Sequence, residues 1–448
     1  MTFGTDSQTF FDLNIFPQSR SEKSVFDWYN YTQTNGGKDL FLGIMKDPLS
    51  DLTAIKSRID CVQFLVDNNL YCDLKRKDVD AVDYYLSEKN AILKKNILDS
   101  FYSFITYRLK PNNEYYQITR GLACLQTHIR SLIAFFGNQE IPDELPEFLS
   151  ELKSEVRRIQ FHPHFKPFIN HKKKKLRFWQ ISRFDYLIRK KEKKIVEKLL
   201  ELTYTFDCYL SLAEAAQKHK LGFPSFAETT LPELNIDGIF HPFIQNPVKN
   251  DIGLGQNQNL CFLSGANMAG KSTFLKSVGL CVYLSHIGFP VPAKAMQTSL
   301  FNGLYTTINI SDDINKGYSY YYSEVKRVKD IVLQIKERKK VLVIFDELFR
   351  GTNVKDAFDA TLLITTGFTK IQQSVFFIST HIVEVGKELE MSDKVCFKCF
   401  NSLSDNGQPQ YNYILNDGIS SDRLGLTILK NEQIIEIIDE ISENEKLS

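Results

Sequence analysis

A glycine-rich segment followed by Lys, Ser and Thr is the part of this sequence most directly tied to chemistry. Residues 265–273 read GANMAGKST and fit the pattern GxxxxGK[ST]. An apolar run at 260–263 precedes the segment and a helical pattern at 274–284 follows it. This strand–loop–helix context is the one that a phosphate-binding loop requires, because glycines let several backbone N–H groups point at phosphates beside a helix N-terminus. The segment therefore predicts a nucleoside triphosphate site.

The residue types in this loop assign individual roles. Lys271 is expected to reach the β- and γ-phosphates, and the hydroxyl of Ser272 is expected to ligate Mg²⁺. ATP and Mg²⁺ are therefore the predicted ligands. The predicted nucleotide-binding residues are Gly265, Asn267, Met268, Ala269, Gly270, Lys271, Ser272 and Thr273.

Two carboxylates follow a second apolar run, VLVIF at 341–345. Asp346 is placed to hold Mg²⁺, and Glu347 is the candidate general base for the attacking water. The alternative is a buried strand that ends in two solvated acids. His381 follows a third apolar run at 375–378. A lone histidine is often structural, but the order of these motifs favours contact with the γ-phosphate, as in ATPases of the ABC type.

The first half of the chain has the residue pattern of a helical domain. Apolar residues recur there at helical spacing, for example at Ile55, Ile59 and Val62. Few glycines interrupt the pattern. We therefore predict a helical domain over residues 1–225.

The second half has a different pattern. Short β-rich runs at 260–263, 341–345 and 374–378 alternate with helical segments, which predicts an α/β domain with a largely parallel sheet over residues 226–448. The stretch between the halves is interpreted as a linker because prolines punctuate it. These prolines are Pro224, Pro232 and Pro242.

Composition narrows the class of protein. The 448 residues are 43% apolar and carry a net charge of +1, so several packed domains are possible and no global field attracts nucleic acid. No apolar run is long enough to span a bilayer, and the N-terminus does not resemble a secretory signal. The eight cysteines are scattered, which favours a reduced, cytoplasmic protein without a membrane partner. Cys396 and Cys399 are interpreted as buried or half-buried thiols, with a redox or metal role as the alternative.

One segment is strongly basic. Residues 153–198 contain 16 Lys or Arg against 4 Asp or Glu. Aromatic residues lie beside its densest part, and cations with aromatics can hold a phosphate backbone and stack on bases. A solvated surface whose charges meet acidic neighbours is the other interpretation, and both remain open. The candidate DNA contacts are Lys172, Lys173, Lys174, Lys175 and Arg177.

The combined motifs resemble those of the MutS family of DNA mismatch-repair proteins. The resemblance rests on Gly-x-Asn-Met-x-Gly-Lys-Ser-Thr at 265–273, Asp-Glu-x-x-Arg-Gly-Thr at 346–352 and Ser-Thr-His at 379–381. Ser-Asp-Asp at 311–313 and His-Pro at 241–242 agree with it. In the helical half, residues 32–38, 47–51 and 211–216 look like parts of the MutS core domain.

The resemblance implies an α plus α/β multidomain fold. An N-terminal all-helical, lever-like MutS core domain without a full clamp would precede an ABC-type P-loop α/β ATPase domain that ends in a helical dimerisation segment. It also implies an ATP hydrolase that forms an ATP-dependent homodimer acting in DNA mismatch repair or related processing of DNA structures. Ser319 of one subunit would face the γ-phosphate bound by the other.

Departures from the family pattern shape what we expect of the DNA ligand. The chain resembles a short form that lacks the mismatch-recognition and connector domains. Ala266 stands where the family usually has Pro, and Tyr318 and Tyr320 flank Ser319 in a segment where the family usually has Phe. We therefore expect recognition of DNA structure or backbone rather than of single mispairs.

Two other classes of function stay open on the sequence. The first is a nucleotide-dependent assembly or regulatory module without direct DNA binding, which the near-neutral charge favours. The second is the ATPase subunit of a transporter. That class needs a membrane partner and a Leu-Ser-Gly-Gly-Gln motif, and the motif is absent from this sequence.

Overall fold

A computed structural model shows two compact units. Unit 1 consists of Met1–Trp28, Pro48–Leu52 and Lys220–Ser448, and unit 2 of Tyr29–Asp47 and Thr53–His219. The division differs from the sequence-based boundary at residue 225, since the first residues of the chain group with its second half. The structure describes residues 2–19, 22–87, 92–93, 97–109, 113–137, 141–171, 176–254, 257–308, 320–350, 352–405, 408–420 and 433–447.

The secondary structure changes from helical to mixed along the chain. The helices are α1 Ser7–Asp12, α2 Val25–Tyr29, α3 Asn35–Lys46, α4 Leu52–Asp67, α5 Arg76–Ser87, α6 Ile97–Leu109, α7 Asn113–Phe136, α8 Glu147–Phe161, α9 Lys166–Ile169, α10 Phe178–Tyr186, α11 Lys193–His219, α12 Lys271–His286, α13 Tyr320–Arg338, α14 Val354–Thr369, α15 Val383–Leu389 and α16 Ile434–Leu447. A π-helical turn, Leu187–Lys191, joins α10 to α11. The strands are β1 Pro224–Phe226, β2 Leu234–Ile239, β3 Asn250–Leu254, β4 Leu260–Gly265, β5 Ala295–Thr298, β6 Gly303–Thr307, β7 Val341–Phe345, β8 Val375–Ser379, β9 Val395–Asp405 and β10 Gln408–Asp417.

A six-stranded sheet forms the centre of unit 1. Its order is β10-β9-β4-β8-β7-β6, and every neighbouring pair is parallel except β9 and β10. All residues of β7 and β8 are buried, as in parallel sheets covered on both faces. Val343 and Phe345 pack on the side of α13, α14 and α15, while Ile344 faces Gly279 of α12. The carboxyl ends of β4, β7 and β8 therefore lie side by side, as the three apolar runs predict.

Residues near the N-terminus attach to the edge strand β6 of this sheet. The buried carboxylate of Asp12 accepts the Thr306 hydroxyl at 2.7 Å and the Ile308 N–H at 2.9 Å. Gly4 adds a parallel bridge to Gly303. These contacts cover the exposed edge of a sheet that would otherwise offer unpaired backbone groups, and they explain why Met1–Trp28 belongs to unit 1.

The proline-punctuated stretch is not a linker, which corrects the sequence-based interpretation. It contributes β1 and β2 to a second sheet of order β1-β5-β2-β3. Pro224 begins the edge strand β1, a position that needs no donor from proline, and pairs with Met296 of β5. Local proline content predicted a loop because these strands are completed by β5, far along the chain.

Unit 2 is helical, as its apolar spacing predicts. Ile55, Ile59 and Val62 are buried in α4. A buried polar cluster joins α5 to α10 and the π-helical turn. There Asp185 forms an ion pair with Arg189 at 2.6 Å and accepts the Tyr85 hydroxyl at 2.8 Å. A buried ion pair of this kind is tolerated because its hydrogen bonds are satisfied.

Two further sequence-based expectations meet the structure. Among the described helices, none is long and apolar enough to cross a membrane. Cys396 and Cys399 are both buried, as the sequence analysis favoured, and so are the other cysteines of the chain.

Candidate functional site

The glycine-rich loop connects β4 to α12 and depends on glycine at both ends. Gly265 has φ 143°, and a Cβ there would lie 2.7 Å from the carbonyl oxygen of Phe400. Gly270 has φ 109° and precedes the first turn of α12. Side chains other than glycine rarely adopt such angles. Met268, also at positive φ, is 80% exposed at the tip of the loop.

Lys271 lies inside the loop. Its Nζ donates to the carbonyl oxygens of Gly265 at 2.8 Å and Ala266 at 3.0 Å, and the residue is 4% exposed. Burial lowers the pKa of Lys271, while the nearby carboxylates of Glu347 and Asp346 act in the opposite direction. The ammonium group of Lys271 therefore binds the backbone of its own loop and remains close to the carboxylates of Asp346 and Glu347.

Asp346 and Glu347 follow β7 directly and are held by β8. The Ser379 hydroxyl donates to a carboxylate oxygen of Asp346 and accepts the Glu347 N–H, the latter at 3.1 Å. Glu347 has φ 55°, a backbone angle that is unfavourable for residues with a side chain. Residues held at such angles are concentrated at functional sites. The two carboxylates thus occupy fixed positions at the carboxyl edge of the sheet, where ligands of open α/β sheets bind.

The side chain of Glu347 contacts two basic residues. Its Oε1 lies 2.6 Å from Nε2 of His381, and its Oε2 forms an ion pair with Arg350. The hydrogen bond with His381 is the largest influence that lowers the pKa of Glu347 to about 2, with Arg350 and Lys271 contributing and burial opposing. Glu347 is therefore a carboxylate at all ordinary pH values.

These motifs meet in one pocket of about 310 Å³. Arg350 lines it, although the sequence analysis gave that residue no role. The position was visible within the Asp-Glu-x-x-Arg segment, but the spacing alone did not reveal that it pairs with Glu347. The lining residues are Asn267, Met268, Gly270, Lys271, Ser272, Thr273, Glu347 and Arg350.

A second, largely apolar pocket of about 390 Å³ adjoins the loop and shares Met268, Gly270 and Thr273 with the first. Ile244 and Tyr413 are 45% and 47% exposed on its wall. No sequence motif marks this pocket, since its walls come largely from residues 239–250 and from β9 and β10.

Two contacts shape the apolar pocket. The side chain of Asn250 holds the irregular part of β10, where it donates to the Tyr413 carbonyl at 3.0 Å and accepts the Leu415 N–H at 2.7 Å.

Burial, followed by the charge of Lys276, lowers the pKa of His241 to about 4. The imidazole of His241 on this wall is therefore neutral at pH 7.

Comparison with known proteins gives the family. A family model described as MutS domain III matches residues 8–218, and one described as MutS domain V matches residues 261–446. The chain belongs to the MutS family. The glycine-rich loop, the carboxylates and His381 all fall within the domain V match, and the basic segment falls within the domain III match.

Individual MutS proteins match over part of their length. The chain is 27% identical to the DNA mismatch repair protein MutS of Petrotoga mobilis over 253 residues, which are 55% of this chain and 31% of the relative. It is 30% identical to MutS of a Thermotoga species over 245 residues, 54% of this chain and 30% of the relative. It is 35% identical to Thermus thermophilus MutS over 170 residues, which are 37% of this chain and 20% of the relative. The matched part is thus less than a third of each of these relatives.

Several candidate residues lie outside the described part of the chain. These are Ser319 and the cluster Lys172, Lys173, Lys174 and Lys175. Arg177 is described, and its guanidinium lies 5.0 Å from the ring centre of Trp179. Phe178 packs against Phe101 and Phe104 of α6. Phe178 is therefore engaged within the fold, and Trp179, 39% exposed, presents its ring together with a cation.

Other cations of the basic segment have acidic partners. Arg189 pairs with buried Asp185, and Lys198 lies 2.9 Å from Glu151. These pairs agree with the interpretation that part of the segment is an ordinary charged surface.

Proposed function

We propose that this chain is an ABC-type ATPase that binds and hydrolyses ATP in MutS domain V. One observation carries the proposal. Lys271, Ser272 and Glu347 line one pocket at the carboxyl edge of a parallel sheet, where His381 contacts Glu347 and the charge of Asp346 acts on Lys271. Phosphoryl transfer depends almost entirely on positioning and on charge stabilisation, and this set supplies both.

The residues present fit a bound magnesium ion. Asp346 is ionisable and fixed by Ser379, Ser272 is partly accessible in the first turn of α12, and hard oxygen donors of this kind suit Mg²⁺. Magnesium bound by Ser272 and Asp346 would neutralise charge that develops on the phosphates. Lys271 would exchange the carbonyls of Gly265 and Ala266 for phosphate oxygens.

The apolar pocket beside the loop is proposed to take the nucleobase. It is contiguous with the phosphate pocket through Met268, Gly270 and Thr273. Ile244 and Tyr413 offer apolar and aromatic surface for stacking, which does not require charge. The neutral His241 is compatible with an uncharged base.

Glu347 and His381 are proposed to act at the γ-phosphate. The carboxylate of Glu347 orients the attacking water and accepts its proton, and His381 donates a hydrogen bond to a γ-phosphate oxygen. Arg350 contacts the other carboxylate oxygen of Glu347 and lines the same pocket, so it would add positive charge beside the reacting group.

A homodimer is proposed in which each site is completed by the partner's Ser319. The family resemblance suggests this role, since a hydroxyl at the start of a helix is a suitable donor to phosphate oxygens. The C-terminal helix α16 supports association of two chains. Its isoleucines at 434, 435, 437, 438 and 441 are each 39–54% exposed, and such apolar surface is typical of an interface.

Action on DNA, in mismatch repair or related processing of DNA structures, is the proposed biological role. The MutS relatives in the comparison carry the name DNA mismatch repair protein, and the cluster of Lys172, Lys173, Lys174, Lys175 and Arg177 is the proposed contact to the phosphate backbone. The second candidate is a nucleotide-dependent assembly module without DNA binding. The acidic partners of Arg189 and Lys198 favour it.

The experiment that tests the proposal measures ATP binding and hydrolysis in Mg²⁺ for the wild-type chain and Lys271→Ala. Loss of a charge-assisted contact of about 1.5–3 kcal/mol should weaken ATP binding roughly ten- to a hundredfold. Lys329→Ala is the control, because it removes an exposed lysine of α13 that lines neither the phosphate pocket nor the apolar pocket. Equal ATP affinity in Lys271→Ala and wild type would exclude the proposed loop function.

A further inference from the structure

Three side chains of metal-ligand type meet in unit 2, outside the motifs discussed so far. They are His162, His164 and Glu192, and one potential ligand atom from each lies within 4.8 Å of the other two. The Nδ1 atom of His164 is 2.7 Å from Oε1 of Glu192. The rings of His162 and His164 have centroids 5.4 Å apart. Two imidazoles and a carboxylate thus converge on one small volume.

The backbone holds these residues at two well-defined helix junctions. The N–H of His162 donates to the Ile159 carbonyl at 3.3 Å at the end of α8, and its own carbonyl accepts the Lys166 N–H at 2.9 Å. The N–H of Glu192 donates to Leu187 at 2.9 Å across the π-helical turn. Sites built on the ends of regular elements are better defined than sites on free loops.

The chemistry of the set selects a class of metal. Imidazole nitrogen with carboxylate oxygen suits Zn²⁺ and related transition metals, whereas Mg²⁺ and Ca²⁺ prefer oxygen ligands alone. Ligand atoms about 2.0–2.2 Å from a tetrahedral zinc are roughly 3.3–3.6 Å apart. The three ligand atoms lie within 4.8 Å of one another and those of His164 and Glu192 are 2.7 Å apart, so the observed separations bracket that spacing.

The site is accessible from one side. The side chain of His164 is 44% exposed, whereas that of Glu192 is 15% exposed. A metal ion can therefore reach the site from solvent at the exposed His164 and bind the less exposed carboxylate of Glu192. Three protein ligands leave a fourth position for water or another donor. The neighbouring Lys193 lies 3.4 Å from Glu197, so its charge is shared with an acid.

We propose that His162, His164 and Glu192 form a Zn²⁺-class metal site that fastens the end of α8 to the start of α11. The site is independent of the nucleotide pocket, and the proposal does not rest on the proposed ATPase function. Bound metal would stabilise unit 2, because the ligand positions exist in the folded chain and not in the unfolded one.

The test titrates Zn²⁺ into the full chain after chelator treatment, in excess Mg²⁺, by competition with a colorimetric chelator. About one Zn²⁺ per chain is expected, and Glu192→Gln should weaken its binding more than about tenfold. Gln keeps a hydrogen-bond acceptor for His164 and removes only the negative charge, so the fold is preserved. His164→Ala should lose the site. His219→Ala, which removes another histidine of unit 2, should bind as wild type.

A second readout identifies the ligands directly. Co²⁺ in the wild-type chain should give a tetrahedral spectrum without a thiolate-to-cobalt charge-transfer band, and Zn²⁺ should raise the Tm of wild type and of His219→Ala but not of His164→Ala. A thiolate band would place the metal on cysteines and overturn the proposal. The proposal would also be overturned if the double variant Glu192→Gln/His164→Ala bound zinc as tightly as wild type. In that case His164 and Glu192 would form only an ordinary hydrogen-bonded pair.

Discussion

Glu347 is held as a carboxylate by His381 and Arg350, and this limits how it can act. A pKa of about 2 makes it a weak proton acceptor, whereas an effective general base has a pKa near the working pH. The two residues that contact Glu347, His381 and Arg350, are also the ones proposed to act at the γ-phosphate. Their transfer to the phosphate would release Glu347 and raise its pKa towards the usual value, so that the base is strengthened when substrate is bound.

Part of this site could be predicted at the level of single residues. Lys271, Ser272, Asp346 and Glu347 lie in contiguous motifs whose geometry follows from strand, turn and helix. The partners of Glu347 required the fold, since His381 reaches it from the neighbouring strand. Tyr413 could not be predicted, because its place depends on the irregular pairing of β9 with β10.

The apolar pocket, proposed to take the nucleobase, gives the prediction at this scale. Tyr413→Ala should weaken ATP binding by roughly five- to a hundredfold, since base–aromatic stacking contributes about 1–3 kcal/mol. Binding of inorganic tripolyphosphate, which lacks a base, should be unchanged. Calorimetric titration of both ligands checks this, with Tyr411→Ala as the control from the same strand. Equal losses for the two ligands would show that the substitution disturbs the phosphate loop instead.

At the level of elements, the sequence predicts structures formed by neighbouring residues and not pairings between distant segments. The chain from β4 through the loop to α12 is continuous, so apolar runs and helical spacing predict it. The stretch that contains β1 and β2 has the local sequence of a linker because β1 pairs with the distant β5. The attachment of α1 to β6 was also missed, since Asp12 and Thr306 are 294 residues apart. Pairings of this kind leave no local signal.

The basic segment gives the prediction at the element scale. If Lys172, Lys173 and Lys174 contact DNA phosphates, replacing all three with Ala should flatten the dependence of log affinity on log salt by about two to three units. All DNA sequences should be weakened alike, because phosphate contacts carry no sequence information. Binding to duplex DNA at several salt concentrations measures the slope.

A matched control separates position from charge. Lys193, Lys194 and Lys198 lie in the same basic segment, and two of them have glutamate partners, so their triple Ala variant should keep most of the slope. ATP turnover without DNA should be unchanged in both variants. An unaltered slope in the first variant would identify the cluster as a solvated surface and favour the assembly module.

At the level of the whole molecule, the proposal requires two chains for each active site. The loop of one chain and Ser319 of the other would form one unit, so ATP binding would favour association and hydrolysis would favour release. Such an arrangement couples the chemistry of a small pocket to the state of the whole assembly.

Mixed dimers test this arrangement. Ser319→Arg and Lys271→Ala should each be inactive alone. Mixed in equal amounts they should recover about a quarter of wild-type turnover, because half of the randomly formed symmetric dimers are mixed and each has one whole site of two. Ser323→Arg, four residues further along the same segment, is the control for simple disruption. Full turnover by a monomeric chain, or no recovery on mixing, would exclude the shared site.

The central claim is that the pocket around Lys271 and Glu347 hydrolyses ATP, and Glu347→Gln tests it most directly. The measurement compares ATP affinity with single-turnover hydrolysis in Mg²⁺ for this variant and wild type. We expect nearly unchanged affinity and hydrolysis slower by about a hundredfold or more, since the variant keeps the phosphate contacts and loses the base. Hydrolysis at the wild-type rate in Glu347→Gln would contradict the account.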